Sequence, residues 1–103
     1  MNSYVYKDKF GNIRTFYVGY HLLRVEETCT RSGIRRFTIE TAIPYEDIIS
    51  VTSNLVDGAV CIRYLTDYGV NAYSFSFEPH KHRDLVERLV NDILFMADLE
   101  LNF

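Results

Sequence analysis

The sequence predicts a mainly β fold of the α+β kind: an antiparallel sandwich or partly open barrel of six to seven short strands, capped by one C-terminal α-helix. Three observations carry this. Apolar and polar residues alternate in short runs that end in Gly, Asn and Asp turn signals. After Glu78-Pro79 the apolar spacing lengthens to the period of a helix. The aromatic residues are eight Tyr and seven Phe with no Trp, types that pack well on pleated surfaces.

Residues 3–7 read as the first strand and 8–12 as a turn, because Gly11 and Asn12 tolerate positive φ. Residues 13–18 alternate Ile13, Thr15 and Tyr17 against Arg14, Phe16 and Val18. Gly19 marks a bulge or turn. Residues 21–29 set Leu23 and Val25 on one face and Arg24 and Glu26 on the other. A loop at 30–33 joins them to a strand over 34–41, with Phe37, Ile39 and Ile43 expected inward and Arg36, Thr38 and Glu40 outward. Pro44 cannot donate to a ladder and belongs at an edge or a strand start. Strands over 48–53, 59–65 and 70–77 follow, with Val60, Ile62 and Tyr64 sharing a face and Tyr73, Phe75 and Phe77 turned inward.

The helix is expected over residues 80–98. Leu85, Leu89, Ile93 and Ala97 recur at every fourth position, flanked by Val86, Val90 and Leu94, all within one half of a helical wheel. Pro79 suits a first turn. Residues 1–103 read as one domain ending in an apolar tail, 99–103.

The run Ile43-Pro44-Tyr45-Glu46-Asp47-Ile48-Ile49-Ser50-Val51 resembles the I-P-Y-x-D-I-x-x-V run of bacterial pleckstrin-homology-like domains. There it leads into a strand, followed by two hairpin strands and a helix. The resemblance spans residues 13–98 and implies the PH-like fold. That superfold hosts lipid-headgroup, phosphopeptide and protein-binding modules, so the resemblance implies no single activity. Physically, Ile43, Ile48 and Val51 are anchors, Pro44 interrupts the ladder, and Asp47 is placed to cap the turn.

The net charge of −3 lacks the basic excess that nucleic-acid binding needs, and it disfavours attraction to anionic membrane headgroups. Cys29 and Cys61 form no Cys-x-x-Cys pair, and the opening MNSYVYKDKF has no apolar h-region. The expectation is a cytoplasmic setting with both thiols reduced. No nucleophile elbow or Gly-rich phosphate loop occurs, and Glu26 and Glu27 fall on opposite strand faces. His80 and His82, two apart on a helix, do not share a face. The chain is therefore expected to be non-catalytic, with no metal and no cofactor, and its residues identify no small-molecule substrate.

Two sets of residues are candidates for contact. Phe95 falls on the polar half of the wheel beside Arg88, and Leu99 joins that side if the helix runs on. Leu101 and Phe103 then alternate with polar residues, a pattern suited to a strand added at a sheet edge or to a tail folded back on its own sheet. The second set is basic: Arg31, Arg35 and Arg36 around Ser32-Gly33, and Lys81 at the helix start. Lipid-binding members of the PH-like superfold grip phosphates with basic residues at a hairpin loop, in a K-x(n)-K/R-x-R spacing. The order R-S-G-I-R-R departs from it. The leading expectation is a protein-interaction module, self-associating or docking a protein partner through the C-terminal helix and tail and an exposed sheet edge. The alternatives are a small stand-alone acidic inhibitor or adaptor of a larger host protein, and an anion or lipid-headgroup binder using the arginine loop.

Overall fold

A computed structural model describes residues 2–31 and 35–99, save for the side chains of 30, 31 and 35. Strands β1 (Asn2–Lys7), β2 (Ile13–Val18), β3 (Leu22–Arg31) and β4 (Arg35–Pro44) form one antiparallel sheet in that order. Strands β5 (Ile48–Asn54), β6 (Ala59–Thr66) and β7 (Gly69–Ser76) form a second antiparallel sheet. A 3₁₀ turn over Tyr45–Asp47 joins the sheets, and α1 (Pro79–Met96) follows β7. Among the described residues the sheets share no ladder, so the fold is an open sandwich and not a closed barrel.

Strand alternation sorts the inner face of the first sheet into cross-strand rows. Asn2, Val18, Leu23 and Ile43 form one row, and Tyr4, Phe16, Val25 and Thr41 the next. The third row is Tyr6, Arg14, Glu27 and Ile39, and beyond it Cys29 faces Phe37. The first two rows meet Val60, Ile62 and Phe75 of the second sheet in the core. A register shift between Ile48 and Ser50 brings both Ile48 and Val51, an odd number of residues apart, onto the core.

The helix buries Val86, Leu89, Val90, Ile93 and Leu94. Leu85 and Ala97 lie at the margin, so the buried stripe is rotated toward the Val86–Val90 side of the expected one. Truncating a fully buried residue such as Leu89 or Ile93 to Ala costs about 2–5 kcal/mol.

Two expectations about β4 need correction. Phe37 and Ile39 do lie on the inner face, yet they are 42% and 48% exposed. The β3–β4 hairpin extends past the second sheet, so nothing covers its far end among the described residues. Pro44 lies on an edge strand, as expected, but it does not interrupt the ladder: it is paired with Leu22 as the last residue of β4.

The turn after Pro44 is held by Tyr45. Its ring is buried, its hydroxyl donates to the Gly19 carbonyl at 2.8 Å, and its N–H donates to the His21 carbonyl at 3.1 Å. The 3₁₀ turn is thereby tied to the β2–β3 connection. At the β5–β6 turn, the Asn54 side-chain oxygen accepts from the N–H groups of Val56 and Asp57. Gly58 follows with φ +79, its N–H bonded to Asn54 and its carbonyl to the Phe77 N–H at 3.0 Å. A Cβ there would sit 2.1 Å from the Phe77 carbonyl oxygen.

Gly58→Ala is therefore expected to lower stability by about 2 kcal/mol or more, from positive φ and from displacement of the β7–helix junction, read as a fall in the denaturant midpoint. A second test uses alkali. Burial, and secondarily the charge of Asp92, pushes the Tyr45 phenol up from its ordinary 10.0 to about 12. The fold favours the neutral phenol, so this contribution is complete below pH 10 and is lost as pH rises toward 12. Tyr45→Phe should cost about 1 kcal/mol at neutral pH through the lost hydrogen bond. It should also make the loss of stability between those two pH values shallower than in the wild type.

Candidate functional site

The C-terminal end of α1 carries the most exposed aromatic residue of the helix. Phe95 is 81% exposed, on the face opposite Ile93 and Leu94. Across from it, Tyr20 in the β2–β3 connection is 75% exposed. Between them lies a small cleft of about 160 Å³, walled by Val18, Gly19 and Met96, with Asn2 and Asp92 at its polar end.

Asp92 is fixed where it stands. The Tyr4 hydroxyl and the Asn2 side-chain amide (2.9 Å) both donate to the same carboxylate oxygen. Burial, then the hydrogen bond to Asp92, pushes the Tyr4 phenol up to about 12, so it remains a donor across the neutral range. These bonds pin the last turns of α1 to β1. Arg88, exposed one turn earlier, donates from Nε to the Asp84 carbonyl at 3.4 Å, and its charge reaches Tyr4.

The helix stops sooner than expected. The Leu99 N–H bonds the Leu94 carbonyl and the Asp98 N–H bonds the Phe95 carbonyl, at 2.9 and 3.2 Å. With Asp98 at φ 55, this is the left-handed Schellman ending of a helix. Leu99 consequently turns back and packs partly against the core, and it does not join Phe95 on the outer side. Leu101 and Phe103 lie outside the described residues.

Arg31, Arg35 and Arg36 belong to the end of the β3–β4 hairpin, and Lys81 to the first turn of α1. Arg31 and Arg35 are paired in register at the hairpin end, with side chains outside the described part. Arg36 is exposed on the outer face and has no acidic partner among the described residues. Lys81 is held by Glu78, Nζ to Oε2 at 3.1 Å, and that contact draws the Glu78 carboxyl below its usual range. His82 packs on the Tyr6 ring at 5.2 Å. No group of three His, Cys, Asp or Glu side chains among the described residues is arranged to hold a metal ion. Cys29 and Cys61 are free thiols on different sheets.

Two further features complete the surface. An open depression of about 560 Å³ lies against the second sheet, floored by the small side chains of Thr52, Cys61 and Ser74, with Arg14 at its rim. Arg14 is already engaged: Nε to Glu27 Oε1 at 3.2 Å, and Nη1 donating to the Tyr6 hydroxyl at 3.3 Å. At the β6–β7 hairpin, Leu65 pairs with Val70 beside a fully exposed Tyr68.

The sequence singled out Phe95 and Arg88. It did not single out Tyr20 and Asp92 as neighbours of Phe95, since only the packing of the helix across the start of β1 brings them together. No described helix is long and apolar enough to cross a membrane. Comparison of the chain with family models, curated proteins and solved structures finds no match.

The helix ending makes a direct test. Asp98 is a β-carbon-bearing residue in the left-handed region and an acid at a negative helix end. Asp98→Gly should stabilise the protein by about 1 kcal/mol, a rise in melting temperature of about 4–8 °C. It should leave the Phe95 cleft unchanged.

Proposed function

We propose that the chain is a non-catalytic protein-interaction module that docks a protein partner, or a copy of itself, through the C-terminal end of α1 and an exposed sheet edge. The observation that carries this is the Phe95–Tyr20 pair, two aromatic rings held in solvent on either side of a preformed cleft. Exposed aromatics beside a concave apolar wall are the composition of an interface centre. The cleft is rigid because Asp92, Tyr4 and Asn2 lock the helix to β1, so little ordering entropy opposes binding. An apolar side chain of the partner fits between the rings, and Asp92 offers its remaining acceptor capacity to a donor beside it.

Four antiparallel strands, three antiparallel strands and one helix, in that order, support a PH-like reading of the domain. The net charge of −3 fits a small acidic adaptor better than a binder of anionic headgroups. The engagement of Lys81 by Glu78 weighs against the anion reading as well.

The test compares the full chain with Phe95→Ala and Tyr20→Ala as bait in the cells of origin. Both variants should keep wild-type stability to within about 0.5 kcal/mol, because both side chains are exposed. Each should lose at least about tenfold in affinity for the same stoichiometric partner. Retention of every partner by both variants would remove the cleft from the interface.

A further inference from the structure

We infer that the free edge of β4 pairs with the β4 edge of a second copy of this chain, antiparallel and centred on Thr38. This deepens the interaction-module reading by naming one partner for the sheet edge, and it uses a surface separate from the Phe95 cleft.

Each of the other three sheet edges is tied or irregular at one point. At the start of β1 the Asn2 and Tyr4 side chains are bonded to Asp92 of the helix. The end of β7 is clamped where the Ser76 carbonyl accepts from the Tyr6 hydroxyl at 3.0 Å and from Arg14 at 3.4 Å. The β5 edge carries a register shift. By contrast, β4 is long, regular in its ladder with β3, and free of Lys and Pro until Pro44. Residues 36–40 are exposed without interruption. Natural edges of that length are normally protected, because their unpaired N–H and C=O groups template another strand.

The sequence of the edge is complementary to itself. Antiparallel pairing about Thr38 sets Arg36 opposite Glu40 of the second copy, and Glu40 opposite its Arg36. Both pairs lie on the outer face. The same register sets Phe37 opposite Ile39 on the inner face, where each is half exposed in the single chain. Every cross-strand contact is then favourable.

The charges within one chain point the same way. Glu40 lies directly opposite Glu26 on β3, and one guanidinium, Arg24, serves both carboxylates at 3.4 and 3.8 Å. Like charges in register are destabilising. Arg36 of a second copy supplies the missing cation, and Arg36 has no acidic partner in its own chain among the described residues. A two-fold axis through the Thr38 pair makes the contact isologous and closed. Joined at one strand, the interface is small, so the dimer forms at raised concentration.

The experiment is sedimentation of the full chain over a concentration series, with charge-swapped variants. Wild type should dimerise with rising concentration. Glu40→Arg and Arg36→Glu should each weaken the dimer about tenfold or more, because two attractive pairs become repulsive. Both substitutions in one chain should restore it. An equimolar mixture of the two single variants should form a heterodimer of wild-type strength. Arg36→Glu leaves the Arg24–Glu40 contact intact, so its folding control is independent of that ion pair. Wild type remaining monomeric throughout would overturn the inference, as would single variants that associate like wild type or a folded double variant that does not. Loss of the dimer in Phe95→Ala with wild-type behaviour in both single charge variants would move self-association to the helix, overturning the edge while upholding the module.

Discussion

The row of side chains that crosses the first sheet at Tyr6, Arg14 and Glu27 sets the limits of everything else in the fold. It is where the second sheet closes onto the first. The Tyr73 hydroxyl of β7 donates to Glu27, the Tyr6 hydroxyl donates to the Ser76 carbonyl, and Arg14 reaches Glu27, Tyr6 and Ser76. Burial, then the Glu27 hydrogen bond, drives the Tyr73 phenol above its ordinary range, which keeps it a donor. Among the described residues no buried side-chain polar atom lacks a partner. That matters because an unpaired polar group at this depth would cost more than its hydrogen bond is worth.

On one side of the row lies the packed interior, where Phe16 and Phe75 meet at 4.8 Å between centroids and Tyr6 stacks on Phe16 at 6.3 Å. On the other side the β3–β4 hairpin continues with its inner face uncovered among the described residues. A second constraint acts at the opposite end of β1, where Asp92 holds the helix to Tyr4 and Asn2. With Ile93 and Leu94 committed to the core and Leu99 folded back under them, Phe95 has no inward position left. Both candidate contact surfaces are thus consequences of where the interior ends.

Much of the architecture was legible from the residues alone, because strand and helix periods are local. The seven strands, the helix and the inward sides of Leu23, Val25, Val60, Ile62 and Phe75 follow from alternation and turn signals. What failed depends on tertiary extent. Alternation assigns Phe37 and Ile39 to a face correctly, but it cannot say where the opposing sheet stops. The helix period carries through to Asp98, whereas the hydrogen bonds of the left-handed ending stop α1 at Met96. Ile43, Ile48 and Val51 are the apolar anchors that their run predicts, but the bonds at that corner come from Tyr45 and not from a capping Asp47. Of the contact residues, Phe95 was legible as an apolar residue on a polar helix face. Its partnership with Tyr20, and the match of Arg36 to Glu40 about Thr38, needed a topology in which β4 is an edge.

The packed interior ends at the Tyr6–Arg14–Glu27 row, and the β4 edge is left open past it among the described residues. Native-state amide exchange at low protein concentration tests this most directly. The ladder amides of β3 and β4 near Leu23, Val25 and Ile43 should exchange only through global unfolding. The outward amides between Arg36 and Glu40 should exchange faster by orders of magnitude. Uniform protection along β4 in the dilute protein would contradict it.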